Sequence, residues 1–303
     1  MERGRIPSAL YPFTSHTFDR SDLRMHYLDE GQGDEGQGAP VVLLHGNPTW
    51  SFHYRELVRA LRDRHRVIVP DHIGMGLSDK PGEDRYRYRL HSRIDDLAAL
   101  LDHLKPGPVT LVMHDWGAMI GMGWALRFPE RVAGLVVMNG AAFLVPPTMH
   151  VPAALHVVRN RALGSLILRS SDFFIRSAAR ACCTRRRMSE EVLQGYLAPY
   201  TNWNERLALL RFPQDVPLVP SDPSYPLVSA MEAGLASFRN TPALIAWGER
   251  DVVFPSATVD LWRKHWPQAE VHRFADCGHW LLEDAPEEVA ELLAVFLDRV
   301  CLA

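Results

Sequence analysis

The sequence has few cysteines and no long apolar run. Its 303 residues include only four cysteines, which form neither a CxxC pair nor a zinc-ligand spacing. We therefore expect no disulfide framework and no metal centre. The chain has no run of about 18 apolar residues and no apolar region near its start, so we predict no membrane span and no secretory signal. These absences favour a cytoplasmic protein.

The sequence also has no large excess of positive or negative charge. The 33 Lys and Arg residues nearly balance the 36 Asp and Glu residues, which leaves a formal net charge of −3. Because no broad basic field exists, we expect no nucleic-acid partner. The arginine run at 185–187 is interpreted as a solvated helix face, with a partner-docking surface as the alternative. A hydrophobic content of 47% is typical of a globular protein.

Short apolar runs alternate with amphipathic segments over the first half of the chain. The runs "VVLL", "VIVP", "VTLVM" and "LVVM" have the length and composition of buried strands. Strands that alternate with helices predict a mostly parallel sheet covered on both faces. The alternation stops after Phe143 and resumes at "TPALIAWGERD". We therefore predict a core domain formed by 1–143 and 227–303, interrupted by a helical cap at 144–226.

Three polar residues follow predicted strands: Asp115, Asp251 and His279. Catalytic groups of open α/β sheets lie at the carboxyl ends of strands. Each residue alone has an ordinary explanation, as a helix cap, a turn residue or a core histidine. Their order along the chain, nucleophile then acid then histidine, is that of the α/β-hydrolase fold, and together they favour a catalytic triad.

The segment around Asp115 is predicted to form the nucleophile turn between a strand and a helix. Gly117 provides the small residue that this turn needs two positions after the nucleophile. Met113 departs from the pattern, because serine enzymes of this fold have glycine there.

Asn47 and Trp116 are the candidate anion-binding residues. Asn47 follows "HG" at the end of a predicted strand, in the loop that supplies one oxyanion-hole N–H in this fold. Trp116 follows the nucleophile and supplies the other. Their side chains add a carboxamide donor and an indole donor. A turn residue and a packed aromatic are the alternative interpretations.

An aspartate nucleophile indicates a particular chemistry. A serine needs a base to remove its proton, whereas a carboxylate is already ionised at neutral pH. Asp115 could displace a leaving group from a saturated carbon or open a strained ring, forming an ester. His279, oriented by Asp251, could then activate water. No cofactor is expected, because the sequence has no phosphate-binding glycine loop.

The sequence resembles the haloalkane dehalogenase family of α/β hydrolases. The resemblance rests on "HGNPTWSFHYR", "HDWG", "WGERD" and "CGHW", and it extends over nearly the whole chain. It implies that Asp115 is the nucleophile, His279 the base and Asp251 the acid. It also implies that Asn47 and Trp116 bind the leaving anion, and that the insertion is the family's helical cap.

Within that family the sequence is most similar to the β-lactone decarboxylases of bacterial long-chain olefin biosynthesis. The segments that carry this resemblance include "VIVPDHIGMGLSDKP", "NGAAFLVPP" and "APYTNWNERLALLRFPQDVPL". It implies conversion of a cis-3,4-dialkyl-β-lactone into a cis-alkene and carbon dioxide. It also implies a complex with the β-lactone synthetase and the reductase of the same pathway.

Three alternatives stay open on the sequence alone. A haloalkane dehalogenase would use the same five residues. An epoxide hydrolase would need cap tyrosines, for which Tyr196, Tyr200 and Tyr225 are available, although Asn47 argues against it. A ligand-binding receptor is the third, and the complete triad argues against that. We expect apolar cap residues to line the space for the alkyl chains, among them Phe143, Leu144, Phe173, Phe174 and Leu209.

Overall fold

A computed structural model describes residues 6, 8–31, 39–146, 149 and 151–301 of the chain. Its centre is one eight-stranded sheet with the order β1-β2-β4-β3-β5-β6-β7-β8. The strands are β1 (Ser15–Arg20), β2 (Leu23–Glu30), β3 (Val41–Leu44), β4 (Val67–Pro70), β5 (Val109–His114), β6 (Val132–Met138), β7 (Ala243–Gly248) and β8 (Glu270–Phe274). Strand β2 pairs antiparallel with β1 and β4, and all other pairs are parallel. The predicted α/β-hydrolase fold is confirmed.

Burial explains why the central strands are continuous apolar runs. Every residue of β3, β4, β5 and β7 is buried. Such strands have no polar face because helices cover both sides of the sheet. Those helices are α1 (Arg55–Leu61), α2 (Leu90–Leu104), α3 (Trp116–Ala125), α10 (Ala257–His265), α11 (Leu281–Asp284) and α12 (Pro286–Val300).

The chain between β6 and β7 is helical, as the sequence predicts. It contains α4 (Ala153–Arg159), α5 (Arg161–Arg169), α6 (Phe173–Cys182), α7 (Glu190–Leu197), α8 (Leu207–Gln214) and α9 (Tyr225–Gly234). The described part of this segment has no strand. The predicted boundary at 226 falls inside α9, because this helix carries Tyr225 and Pro226 in its first turn and continues beyond them. The division into core and cap stays a prediction.

The arginine run does not lie on a helix, which corrects the predicted helix face. Helix α6 ends at Cys182, and α7 begins only after Ser189, whose side chain accepts from the Val192 N–H as its N-cap. The run therefore lies in the connection between two helices. Arg185 forms ion pairs with Asp276 and Glu288, and Arg186 pairs with Glu287. Acidic residues of the same chain thus balance much of its charge.

A buried ion pair fixes the helical segment to the sheet domain. Both terminal guanidinium nitrogens of Arg55 donate to the Glu283 carboxylate, at 2.5 and 2.8 Å. The Tyr196 hydroxyl of α7 donates to the same carboxylate at 2.5 Å. Both charged side chains of the pair are less than one-tenth exposed.

Among the described residues, no helix is long and apolar enough to cross a membrane.

Candidate active site

Asp115 sits at the turn between β5 and α3, in the conformation expected for a nucleophile. Its backbone has φ 53° and ψ −124°, an unusual geometry for a residue other than glycine. Gly117 permits the turn, because a Cβ there would lie 2.0 Å from the Leu44 carbonyl oxygen. Gly46 is equally constrained, since a Cβ would lie 2.4 Å from Cβ of Asp115. The close approach of two backbone segments, 44–46 and 115–117, therefore creates the site.

The structure also accounts for Met113, where the usual motif has glycine. The Met113 side chain is fully buried beneath α3. Helix α3 has Gly121 above it, and a Cβ at that position would lie 2.5 Å from the Met113 sulfur. A glycine one turn into the helix thus makes the space that a glycine in the strand would otherwise provide.

The three predicted triad residues come together. His279 Nε2 lies 3.2 Å from Oδ2 of Asp115, and His279 Nδ1 lies 2.9 Å from Oδ2 of Asp251. The imidazole is buried between the two carboxylates. Burial by itself lowers the pKa of His279, but Asp251 and then Asp115 outweigh it and raise the pKa to about 10. The ring is therefore an imidazolium at neutral pH, held between the side chains of Asp115 and Asp251.

Trp116 directly follows Asp115, and Asn47 follows Gly46, whose backbone approaches the Asp115 side chain. The Trp116 backbone N–H donates to Oδ1 of Asp115, so one of the two expected oxyanion-hole donors faces the carboxylate itself. The indole N–H of Trp116 donates to no described residue and is free for a ligand. Asn47 Nδ2 donates one hydrogen to the Leu209 carbonyl of α8 at 3.2 Å, which leaves its second hydrogen.

Asn139 is a site residue that the sequence analysis missed. Its Nδ2 donates to Oδ2 of Asp251 at 2.7 Å, and its Oδ1 accepts from the Gly248 N–H at 2.9 Å. Its carbonyl accepts from the Asp115 N–H at 3.2 Å. Asn139 therefore links the nucleophile turn to the acid. The available signal was an asparagine directly after the predicted strand "LVVM".

His114 is a second missed residue. Its Nε2 donates to the His279 carbonyl at 2.8 Å, and its ring packs 4.7 Å from the His279 ring. Burial, and then the charge of His279, hold the pKa of His114 well below its ordinary value. The ring is thus a neutral donor. No signal in the sequence distinguished this histidine from a core residue.

The loop that carries His279 is held to the helical segment by a buried carboxylate. Asp284 accepts from the Gly278 N–H at 2.7 Å and from the Thr184 N–H at 3.0 Å. It also accepts from the backbone N–H groups of Arg185 and Arg186. Asp284 is completely buried, so backbone donors on both sides fix its position and that of the loop.

The residues expected to line the alkyl-chain space have diverse positions. Leu209 is buried beside Asn47. Phe143 instead packs against Trp262 of α10, at 5.1 Å between ring centroids. Phe173 is 63% exposed and lines an open cavity of about 660 Å³ that includes none of the triad residues. Within the described ranges, no three His, Cys, Asp or Glu side chains form a group that could hold a metal ion.

Comparisons with known proteins agree with this geometry. Residues 39–286 match the model of the α/β hydrolase fold family. The chain is 49% identical over 289 residues to a cis-3-alkyl-4-alkyloxetan-2-one decarboxylase of Shewanella oneidensis, covering 95% of this chain and 89% of the relative. It is 46% identical to a protein of the same name from Xanthomonas campestris pv. campestris, covering 95% and 98%.

Solved structures give the same result. The haloalkane dehalogenase DatA from Agrobacterium tumefaciens C58 superposes with a TM-score of 0.84 at 25% identity, covering 97% of this chain and 99% of that one. The family match, the extent of the alignments and the shared fold confirm the resemblance inferred from the motifs. The chain therefore belongs to the α/β hydrolase family, among its haloalkane dehalogenase-like enzymes.

Proposed function

We propose that this enzyme is a cis-3-alkyl-4-alkyloxetan-2-one decarboxylase, which converts a β-lactone with two alkyl chains into a cis-alkene and carbon dioxide in long-chain olefin biosynthesis. The observation that carries the proposal is the 49% and 46% identity to two relatives of that name along almost the whole chain. The Asp115–His279–Asp251 arrangement supports it, because an ionised carboxylate can open a strained four-membered ring.

Asp115 is proposed as the nucleophile. Its carboxylate attacks the lactone at the carbonyl or at the ring carbon, and a ring bond to oxygen breaks. In both cases negative charge leaves Asp115 and develops on an oxygen of the opened ring. Attack on the ring carbon forms an ester of Asp115 and a free carboxylate, whereas attack on the carbonyl forms a mixed anhydride and an alkoxide, which must take over the acyl group of Asp115 to reach the same ester. In this ester the carbon–carbon bond to the free carboxylate breaks, and its electrons form the alkene as carbon dioxide leaves. The ester bond to Asp115 breaks at the same time and regenerates its carboxylate, so the overall reaction consumes no water.

Asn47 and Trp116 are proposed to receive the developing charge. The indole N–H of Trp116 and the second hydrogen of Asn47 Nδ2 are the available donors beside Asp115. Fixed donors at the position where charge develops stabilise a transition state more than mobile water does. His279 starts the reaction as an imidazolium, so its first role is to donate to an oxyanion, with Asp251 holding the ring.

Haloalkane dehalogenase activity is the second candidate. The structural similarity to DatA favours it, as does a site whose donors could hold a halide. In that reaction Asp115 forms an alkyl ester, and His279 must lose its proton to activate water. Esterification removes the Asp115 charge and thereby part of what raises the pKa of His279.

Epoxide hydrolysis is less well supported. It would require free tyrosine hydroxyl groups to polarise the epoxide oxygen. The Tyr196 hydroxyl is engaged with Glu283 and His53, and the Tyr200 hydroxyl contacts the Gly76 N–H. A receptor without catalytic activity would not need the two buried ion pairs that His279 forms with Asp115 and Asp251.

We also propose that residues 144–226 act as a cap that sets the preference for alkyl-chain length. The enzyme is proposed to work in the cytoplasm. It is further proposed to associate with the β-lactone synthetase and the reductase of its pathway. The four free cysteines are consistent with a reducing compartment. Co-purification of the three enzymes from the native host would test the association.

The decisive assay compares two substrates. The purified enzyme is incubated with a cis-3,4-dialkyl-β-lactone and, separately, with a 1-bromoalkane of similar length. We expect alkene and carbon dioxide from the lactone, measured by gas chromatography with mass detection, and little bromide. Rapid bromide release without alkene would favour the dehalogenase instead. Asp115→Asn should abolish both reactions, and full turnover by this variant would contradict covalent catalysis.

A further inference from the structure

Arg93 of α2 is a buried cation without a hydrogen-bonding partner. The residue is 1% exposed, and none of its three guanidinium nitrogens donates to any residue that the structure describes. Burial lowers its pKa, but an arginine stays charged at neutral pH. A buried charge is costly unless it is paired, so its retention requires a reason.

Asp96 and Asp215 act on Arg93 only through space, because other groups occupy their carboxylate oxygens. Asp96 accepts from Arg20 and from the Tyr86 hydroxyl. Asp215 accepts from Arg89, as well as from the Leu90 N–H and the Ser224 hydroxyl. Neither forms an ion pair with Arg93 in the described part of the chain.

A single aromatic ring separates Arg93 from the active site. Its guanidinium carbon lies 3.8 Å from the ring centroid of Phe212 in α8. The Phe212 ring lies 5.2 Å from the Trp116 ring, at an interplanar angle of 67°. Trp116 carries the indole donor beside Asp115. The positive charge therefore lies directly behind the wall of the anion site.

The groups between the cation and the site do not screen it. His45 and His72 pack together at 4.3 Å between ring centroids, and the His72 ring lies 6.3 Å from Phe212. Burial first, and also the charge of Arg93, lower the pKa of both histidines. Both histidines are thus neutral and add no positive charge of their own between Arg93 and the donors.

We propose that Arg93 is a positioning residue whose buried charge holds the anion that forms at the Asn47 and Trp116 donors. The inference rests on the proposed function for the identity of that anion, an oxygen of the opened lactone. As charge moves from Asp115 onto this oxygen, Arg93 attracts it toward the donors. A unit charge about 10 Å away, at an effective dielectric constant of about 20, changes such an equilibrium roughly tenfold.

The charge of Arg93 should affect the transition state more than the bound substrate. The lactone is neutral, so Arg93 contributes little to its binding, and the effect should fall on kcat rather than on KM. A small anion such as chloride should also feel the charge when it binds at the same donors. Replacing Arg93 by an apolar side chain should leave the protein equally stable or more stable, because it removes the desolvation cost of an unpaired buried charge.

The test compares Arg93→Met and Arg93→Lys with Arg239→Met, a control that removes one exposed positive charge. Chloride binding is measured by chlorine NMR line broadening, turnover by alkene formation, and stability by thermal unfolding. For Arg93→Met we expect roughly tenfold weaker chloride binding and a roughly tenfold lower kcat. KM should be little changed and Tm equal or higher. Arg93→Lys should recover part of both losses, and Arg239→Met should behave as wild type.

Unchanged chloride affinity in Arg93→Met would overturn the proposal, as would wild-type protein that binds no chloride. A lower Tm with no recovery in Arg93→Lys would indicate a structural role and overturn it as well. The chloride measurement needs no turnover. If wild-type enzyme forms no alkene but Arg93→Met still loses chloride affinity, the proposed function fails while the role of Arg93 stands.

Discussion

The His114 side chain donates to the backbone carbonyl of His279 at 2.8 Å, so the residue before Asp115 holds the loop that carries the His279 imidazole. We expect His114→Leu to lower kcat by roughly 10- to 100-fold, because loss of this bond lets His279 drift from Asp115. His114→Gln retains an N–H donor and should recover much of the activity. Steady-state kinetics of both variants provides the measurement.

The glutamine variant is the control for packing. Both substitutions remove the imidazole, but only glutamine can donate to the carbonyl. Equal loss of kcat in the two variants, at similar Tm, would show that the ring and not its hydrogen bond is what matters.

Asn139 presents its amide donor to Asp251, and this contact predicts the effect of an isosteric change. Asn139→Asp replaces the donor by a second carboxylate at the same oxygen. While the new carboxyl group is ionised, it repels Asp251 and cannot donate to it, so Asp251 holds His279 less firmly, whereas its protonated form can donate to Asp251 as the amide does. We expect kcat to fall about tenfold or more at neutral pH, with a smaller deficit in acid. The ratio of variant to wild-type kcat across pH is the measurement, and a ratio independent of pH would contradict the argument.

The sequence predicts the sheet and the proximity of Asp115, Asp251 and His279, because both depend on local patterns. Apolar runs such as "VVLL" and "VTLVM" are continuous since the strands they form are buried on both faces. Asp115, Asp251 and His279 follow strands or their adjoining loops, and parallel strands bring those ends together. Their chemistry is evident from residue type alone.

The remaining residues of the site depend on contacts that are distant in sequence. Asn139 reaches Asp251 only because β6 and β7 are neighbours, a pairing that no local pattern encodes. Gly121 compensates for Met113 across the interface of strand and helix. Arg93 looks like a solvent-facing residue in "SRIDDL", yet the packing of α8 onto α2 buries it. Such relationships follow from tertiary packing and could not be predicted.

The Arg55–Glu283 ion pair gives a prediction for stability. Glu283→Ala leaves the buried Arg55 guanidinium with only the partly exposed Glu56 as a counter-charge and should lower the free energy of unfolding by about 3–5 kcal/mol. Tyr196→Phe removes a hydrogen bond to the same carboxylate and another with His53 Nδ1, but leaves the ion pair in place, and should cost about 1–3 kcal/mol. The exposed pair of Arg64 with Asp298 is the control, and Asp298→Ala should change stability by about 1 kcal/mol or less. Urea unfolding measures all three, and equal costs for Glu283→Ala and Asp298→Ala would contradict the buried role.

The charge on His279 predicts how stability depends on pH. Its pKa is raised to about 10 by Asp251 and Asp115 against the opposing effect of burial, whereas an unfolded histidine titrates near pH 6.5. A raised pKa means that the folded state holds the proton more tightly. The resulting stabilisation is complete below about pH 6.5 and is lost as the pH rises toward about 10.

Asp115→Asn isolates this contribution, because it removes one of the two carboxylates that raise the pKa. Other groups titrate in the same range, but they are shared by the two proteins and cancel in the difference. We therefore expect the free energy of unfolding of the wild type to fall more steeply than that of Asp115→Asn between about pH 6.5 and 10. Urea unfolding at a series of pH values measures both slopes. Parallel curves would mean that Asp115 does not help to hold the proton on His279.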